Sequence, residues 1–272
     1  VIISNVVRLV PHSSSDDQRK YRTPEALEED QKQDPIHILE NECLEEKFFT
    51  ENDIEKINNE VKTHVDQDAE WAERQDHPAI ENALTHVYSA NGHTVETDFV
   101  PIAEKIVLVD AINHALHEEM EYNDKMVIYG QDVADPKGGV FTATRGLSTD
   151  FGTERVFNSP LAESSIIGTA VGMAVTGYKP VVEIQFGDYI WPAMMQLRNE
   201  VVTMRYRSKN AWNCPFVIRV PVGGYIHGAL CHSQSIDGFF SHLPGILIAY
   251  PSNASDAKGL LKAAIRDDDP VV

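Results

Sequence analysis

The stretch "SPLAES", Ser159 to Ser164, places the carboxylate of Glu163 at the start of a run of small and apolar residues. A strand is predicted to end at Pro160, so Glu163 falls where a helix begins. A carboxylate in a first helical turn stabilises the helix dipole by about 0.3–1 kcal/mol. Alternatively, the uncharged turns that follow give it an apolar neighbourhood, which raises a carboxyl pKa and lets the group share a proton near neutral pH. Position alone leaves both interpretations open.

A second strand end is predicted to face this carboxylate. The stretch "EIQFGDYI" brings Gln185, Phe186 and Tyr189 to the end of an apolar strand. An aromatic wall beside an acid that shares a proton is typical of a site for a flat heterocycle.

Histidines form a third group of candidates. The stretch "GGYIHGALCHSQS" contains His227 and His232, and His242 follows. An i,i+5 spacing does not put two imidazoles on one helical face, and no acidic ligand lies between them, which argues against zinc. A histidine near a glycine-rich turn is usually structural, but the flanking glycines permit close backbone approach to a ligand.

Two polar stretches have weaker functional interpretations. In "HSSSDDQRKYR", His12 lies beside three hydroxyls and close to two arginines, a group able to bind phosphate oxygens, although composition favours an ordinary loop. In "AAIRDDDP" the acidic residues are most simply a solvated run of charges.

Alternating elements are predicted to position these residues. Strands are predicted at "MVIYG", "RVFNSP", "KPVVEIQF", "CPFVIRV" and "GILIAYP", and helices at 104–122, "ESSIIGTAVGMAVTG", "WPAMMQLRNEVVTMRYRS" and "SDAKGLLKAAIRD". Strands that are apolar on both faces and alternate with helices indicate an α/β fold with a parallel sheet covered on both sides. Ligands bind such sheets at the carboxyl ends of the strands. Gly168 and Gly172, one turn apart, predict close helix packing.

The first 75 residues have a different, acidic and helical pattern. "VIISNVV" predicts a buried strand, and "DPIHILENECLEEKFF" predicts a helix. Thr50 stands three residues before Asp53, a spacing typical of a helix cap. A long helix follows, with an apolar stripe at Ile54, Ile57, Val61 and Val65 that predicts packing against a neighbour.

Composition excludes several classes of protein. The 272 residues have a net charge of −19, and residues 1–100 carry 9 basic and 23 acidic side chains, a net of −14, which leaves −5 for the remainder. Such a field repels nucleic acid and anionic membranes. The three cysteines form no CxxC, as expected in a reducing compartment. No apolar run reaches the roughly 18–20 residues that span a bilayer, and the first residue, Val1, suggests a piece of a longer chain.

At the quoted stretches the sequence resembles a known family, the E1 components of the 2-oxo acid dehydrogenases. "HSSSDDQRKYR" resembles the phosphate-side loop near the end of the E1 α subunit. "FNSPLAESSIIGTAVGMAVTGYKPVVEIQFGDYIWPA", "HGALCHSQS" and "SDAKGLLKAAIRDDDP" resemble the first domain of the β subunit. The resemblance implies a fused form: residues 1–75 as an α C-terminal tail, 76–102 as a linker, and 103–272 as the β pyrimidine-binding domain of the thiamine diphosphate-binding fold, without the C-terminal β domain.

The resemblance implies roles for named residues. The glutamate matching Glu163 hydrogen-bonds a ring nitrogen of the thiamine diphosphate aminopyrimidine, and His232 faces the substrate and the acyl transfer. The other matching positions pack against the pyrimidine, line its pocket, contact the diphosphate or surround a monovalent cation, potassium. They are, in that order, Leu161 and Tyr189, Gln185, His12, and Ala264 with Asp267 and Asp269.

The implied reaction is decarboxylation of a 2-oxo acid, with transfer of the acyl group to a lipoyl group on an E2 dihydrolipoyl acyltransferase. "EIQFGDYIWPA" and "GALCHSQS" favour a branched-chain 2-oxo acid over pyruvate. The implied assembly is a homodimer of fused chains or an α2β2-like tetramer, in the cytoplasm or the mitochondrial matrix. Ser13, Ser14 and Ser15 are candidates for phosphorylation.

The chain also departs from the family pattern. The Gly-Asp-Gly…Asn motif that holds magnesium and diphosphate is absent, since Gly187-Asp188 is not followed by glycine, so magnesium ligands are expected outside this segment. We therefore expect the isolated segment to be inactive. Three rivals are another thiamine-dependent family, a non-catalytic nucleotide-binding domain and an assembly module. The first should lack "HSSSDD", the second should show GxGxxG after a strand, and the acidic helices keep the third open.

Overall fold

The computed structural model describes residues 3–91 and 105–272. The chain divides into two compact units, Val1–Pro78 and Ala79–Val272. Within the described ranges, no helix is both long enough and apolar enough to cross a bilayer.

The amino-terminal unit is helical, with a short 3-10 helix at Gln18–Lys20 before its α-helices. These are α1 (Pro24–Gln31), α2 (Pro35–Glu45) and α3 (Glu51–Glu73). Helix α3 begins with the predicted cap: the Thr50 hydroxyl accepts from the Asp53 amide, and the Asp53 carboxylate accepts from the Thr50 amide. This reciprocal capping box satisfies two amides that the helix leaves unpaired.

One prediction for this unit is wrong, and another is untested. The stretch "VIISNVV" forms no strand over its described residues, and Ile3 and Val6 are exposed. A strand needs a neighbour for its backbone hydrogen bonds, and none reaches residues 3–7 from the other residues that the structure describes. The stripe on α3 is exposed from Ile57 onward, so its packing against a neighbour stays a prediction.

The second unit is built on four parallel strands in the order β2-β1-β3-β4. The strands are β1 (Met126–Gly130), β2 (Val156–Asn158), β3 (Lys179–Glu183) and β4 (Val217–Arg219). All three pairings are parallel, so the carboxyl ends of the strands lie at one edge, and the predicted sheet is confirmed.

Helices cover both faces of the sheet. They are α4 (Leu108–Tyr122), α5 (Leu147–Phe151), α6 (Glu163–Val175), α7 (Met194–Gln196), α8 (Met204–Arg207), α9 (Asp237–Phe240) and α10 (Ala254–Arg266). Short 3-10 helices lie at Ile80–Leu84, Val140–Thr142, Gly187–Tyr189, Trp191–Ala193 and Ala229–Cys231.

Alternating side chains of β1 divide the core into two layers. Val127 and Tyr129 pack with Ile166 of α6, whereas Met126 and Ile128 pack with Leu116 of α4 and with α10. The period of two along a strand produces this division. It fixes the start of α6 over the carboxyl edge of the sheet, where Glu163 lies.

Two elements differ from expectation. The predicted helix over "WPAMMQLRNEVVTMRYRS" is interrupted by a π-helical turn at Leu197–Val201, between α7 and α8. "GILIAYP" is not a full strand; Leu247 makes one parallel bridge, to Val271, which also bridges Val217 of β4. The predicted linker and the start of the predicted helix at 104–122 fall partly outside the described residues.

Candidate active site

Glu163 is the first residue of α6, just beyond the carboxyl end of β2. Its side chain is half-buried, and Gln131 Nε2 donates to its Oε1 at 2.9 Å. Among the residues that the structure describes, no lysine or arginine forms an ion pair with it. The carboxylate is therefore held by a neutral amide.

Gln131, which sequence reasoning missed, joins two strand ends. It follows β1 directly and is 3% exposed. The Gln185 amide, beyond β3, donates to the Gln131 carbonyl and to Asp132 Oδ2, both at 3.3 Å. Glu163, Gln131 and Gln185 thus form one connected group at the carboxyl edge. A polar residue directly after a buried strand was the available signal.

Phe186, Tyr189 and His232 pack edge to face next to this group. The His232 ring centroid lies 4.7 Å from that of Phe186 and 5.4 Å from that of Tyr189. The Tyr189 hydroxyl lies 2.6 Å from His232 Nε2, within hydrogen-bond distance. The contact fixes the orientation of the imidazole and leaves Nδ1 as the other polar atom of the ring.

Gly228 explains how the His232 loop can be so tight. A methyl group added at Gly228 would overlap His232 Cβ and lie 3.1 Å from Cγ. The Gly228 amide also donates to Ser233 Oγ at 3.0 Å. His227 and His242 are exposed. Within the described residues, no group of three histidine, cysteine or acidic side chains could hold a metal ion.

The remaining predicted cofactor contacts lie in different settings. Leu161 is 83% exposed in the bend before α6. His12 belongs to the amino-terminal unit, where it is exposed and its amide donates to Asp16 Oδ2 at 2.9 Å. This backbone hydrogen bond, with one donated by the Tyr21 hydroxyl, lowers the pKa of Asp16.

The acidic turn at 267–269 is held by cationic side chains. Arg205 Nε donates to Asp269 Oδ1 at 2.9 Å, and Lys179 Nζ donates to the Asp267 carbonyl at 2.7 Å. The Asp269 carboxylate also accepts from the Ser89 amide at 2.8 Å, while the Ala264 carbonyl accepts from the Asp267 amide at 3.4 Å. A monovalent cation here stays a prediction, and it would have to share these oxygens with Arg205 and Lys179.

A buried ion pair lies at the ends of β3 and β4. Glu183 is 1% exposed and is paired with Arg219. Burial lowers the pKa of Arg219 to about 10, so the guanidinium stays charged at neutral pH. The other oxygen of Glu183 accepts from the Val140 amide at 3.1 Å. The pair ties the loop after β1 to the sheet.

The large apolar cavity of this unit lies elsewhere. It has a volume of about 810 Å³ and runs along β4, between the residues that follow Leu247 and the loop at Tyr225. Neither Glu163 nor His232 lines it. Burial, hydrogen bonding and position at the strand ends, rather than cavity size, therefore locate the candidate site.

Comparison with family models gives two matches, one to each part of the chain. Residues 104–272 match the family "Transketolase, pyrimidine binding domain". Residues 1–81 match the family "Dehydrogenase E1 component". The two matches together cover most of the chain.

Curated relatives match the second region. The chain is 53% identical to the 2-oxoisovalerate dehydrogenase subunit beta of Bacillus subtilis over 164 residues, which cover 60% of this chain and 50% of the relative. It is 47% identical to the protein of that name in Pseudomonas aeruginosa over 167 residues (61% and 47%). It is 44% identical to the pyruvate dehydrogenase E1 component subunit beta of Bacillus subtilis over 168 residues (62% and 51%). The chain spans about half the length of these relatives.

Proposed function

Since the chain belongs to the transketolase pyrimidine-binding-domain family, we propose that it is part of a thiamine diphosphate-dependent 2-oxo acid dehydrogenase E1. The observation that carries the proposal is the half-buried carboxylate of Glu163, at the carboxyl edge of a parallel sheet, bonded to a neutral amide. The match of residues 1–81 to the E1 family supports the fused form, with an α-type tail at 1–75, a linker at 76–102 and the β-type domain at 103–272.

Unpaired polar atoms at the site fit an aminopyrimidine. Gln131 Oε1 and Asp188 Oδ1 are buried and have no hydrogen-bond partner among the described residues. Both are acceptors, and the second belongs to the turn that carries Tyr189. An aminopyrimidine brings amine donors and a ring nitrogen that takes a proton. The residues present therefore suit this group, although the diphosphate and magnesium need ligands from elsewhere.

The roles that we propose for these residues come from the family resemblance. Glu163 holds and exchanges a proton with the ring nitrogen, and Gln185 lines the pocket. Tyr189 and Leu161 pack against the pyrimidine, the second through its exposed side chain. His232, oriented by the Tyr189 hydroxyl, would face the substrate and the acyl acceptor. When bound, thiamine diphosphate supplies an electron sink for the cleavage of a 2-oxo acid.

The substrate that we propose is a branched-chain 2-oxo acid. The relatives named for 2-oxoisovalerate are 53% and 47% identical, compared with 44% for the pyruvate enzyme of Bacillus subtilis. We also propose the E2 lipoyl domain as acyl acceptor, assembly as a dimer of fused chains or an α2β2-like tetramer, and a cytoplasmic or mitochondrial-matrix location. His12 would contact the diphosphate, and the turn with Ala264, Asp267 and Asp269 would bind potassium.

The substitution Glu163→Gln in the full-length protein tests the function. Loss of a positioned proton-transfer group typically lowers the rate by about 10²–10⁴-fold, so we expect such a loss in 2-oxo acid decarboxylation. Glu154→Gln is the control, because Glu154 is exposed in a neighbouring turn. An unchanged rate in Glu163→Gln would instead favour the assembly module, whose role needs no proton transfer.

A further inference from the structure

We propose that Gln131 is the positioning residue for Glu163, an inference that rests on the proposed function. It donates a hydrogen bond to one carboxylate oxygen, Oε1, and leaves the other, Oε2, to exchange a proton with the bound ring. In this arrangement a neutral amide orients a carboxylate without neutralising its charge.

Burial of a half-satisfied amide is the first observation behind this role. Gln131 is 3% exposed, yet its Oε1 has no partner among the described residues. A buried acceptor without a hydrogen bond costs free energy. An apolar side chain of similar size would avoid that cost. The partner of its Nε2 among the described residues is Glu163, so orienting that carboxylate is the role we assign to this end of the amide.

The backbone around Gln131 is rigid, as a positioning group requires. The preceding residue, Gly130, ends β1, and a methyl group there would lie 2.5 Å from the Glu183 carbonyl oxygen. The backbone of Gln131 itself is held by Gln185, whose side-chain amide donates to the Gln131 carbonyl at 3.3 Å. Gln131 is thus fixed between β1 and the residues beyond β3, and so is the oxygen that it holds.

The three most deeply buried carboxylates among the described residues of this unit have a different kind of partner. Glu119, Glu183 and Asp269 are each 1% exposed, and each is paired with an arginine. An adjacent guanidinium donates charge-assisted hydrogen bonds that occupy the carboxylate oxygens. Among these four carboxylates, Glu163 alone has no cationic partner among the described residues, and its side-chain contact to Gln131 uses one oxygen only.

The experiment removes the amide in the full-length protein. Gln131→Met keeps the size and loses the donor, and Gln131→Asn keeps the amide but shortens its reach. Misplacing a reacting group by about 1 Å costs on the order of 10²-fold in rate, so we expect kcat to fall about 10- to 100-fold with the KM for the 2-oxo acid nearly unchanged. Loss of one oriented hydrogen bond corresponds to a fall of about 2- to 12-fold in thiamine diphosphate affinity, measured by calorimetry.

Gln196→Met is the matched control, because Gln196 Oε1 is likewise buried without a partner but does not contact Glu163. We expect it to retain the kcat and cofactor affinity of the unmodified protein. Circular dichroism shows whether Gln131→Met still folds. If it does not, the same measurements are made on Gln131→Asn, which keeps a polar group. Equal losses in the Gln131 and Gln196 variants would overturn the proposal.

A double-mutant cycle separates positioning from structural support. If Gln131 acts through Glu163, Gln131→Met causes less than about a twofold further loss of kcat in a Glu163→Gln background. Additive losses would refute the positioning role. The two proposals fail differently: full activity in Glu163→Gln refutes the function, whereas impaired Glu163→Gln with normal Gln131→Met and Gln131→Asn refutes only the role of Gln131.

Discussion

The substitution Gly228→Ala should displace His232 while leaving the fold in place. The added methyl group would overlap His232 Cβ and lie 3.1 Å from Cγ. Carbon atoms in contact are normally about 3.5–4.0 Å apart, so the His232 side chain has to move by about 1 Å. A shift of that size breaks the 2.6 Å contact between the Tyr189 hydroxyl and Nε2.

Two magnitudes follow from this geometry. Forcing an extra methyl group into a packed region costs typically about 1–3 kcal/mol, which urea unfolding followed by circular dichroism measures. Loss of the hydrogen bond costs about 0.5–1.5 kcal/mol. This corresponds to a roughly 2- to 12-fold larger fraction of molecules in which Nε2 is free to react. We therefore expect His232 to react with diethyl pyrocarbonate about 2- to 12-fold faster, followed by mass spectrometry of its peptide.

Gly224→Ala is the control in the same loop, because a methyl group there meets nothing within 4 Å and the backbone is not left-handed. It should change the free energy of unfolding by less than about 0.5 kcal/mol and leave the His232 modification rate unaltered. Exposed His242 is the internal standard for reagent. If Gly228→Ala matches Gly224→Ala in both measurements, the steric reasoning about His232 is refuted.

Two further predictions concern stability. Arg205→Met leaves the Asp269 carboxylate, 1% exposed, without its ion-pair partner. It should lower the free energy of unfolding in urea by about 3–5 kcal/mol. Arg207→Met, at an exposed pair, should lower it by about 1 kcal/mol or less, and equal losses in the two variants would contradict this reasoning. Hydrogen bonds, chiefly from the Gly146 amide, lower the pKa of Asp135 below its ordinary value of 3.8. The stability that Asp135 contributes is therefore full above pH 3.8 and is lost as the pH falls through the lower pKa of the folded state. In acid titrations Asp135→Asn should lose less stability than the unmodified protein, and parallel curves would refute the assignment.

Local patterns were sufficient for most of the second unit. The strands β1, β3 and β4 lie in mostly apolar stretches. Helix α6 begins at an acidic residue after a strand, and α10 has an N-cap, Asn253, and a periodic apolar face. The capping box at Thr50 and Asp53 is likewise a local signal. These features need only neighbours in sequence, so the sheet and the position of Glu163 at its edge were both predictable.

Contacts between distant residues were not predictable in the same way. "VIISNVV" has the composition of a strand, but composition does not supply a pairing partner. The π-helical turn at Leu197–Val201 depends on how α7 and α8 pack. Gln131 and Glu163 are 32 residues apart, and no local pattern indicates that a glutamine after β1 bonds to the first residue of α6. Sequence therefore identified the carboxylate but not the amide that holds it.

The contacts of Arg205 have a consequence for the order of folding. Its guanidinium reaches Asp269, 64 residues away, and that carboxylate in turn accepts from Ser89, 180 residues away. Closing such long loops is entropically slow and follows the assembly of the strands and helices. The junction is therefore expected to be absent from the transition state, so that loosening it accelerates unfolding with little effect on the refolding rate.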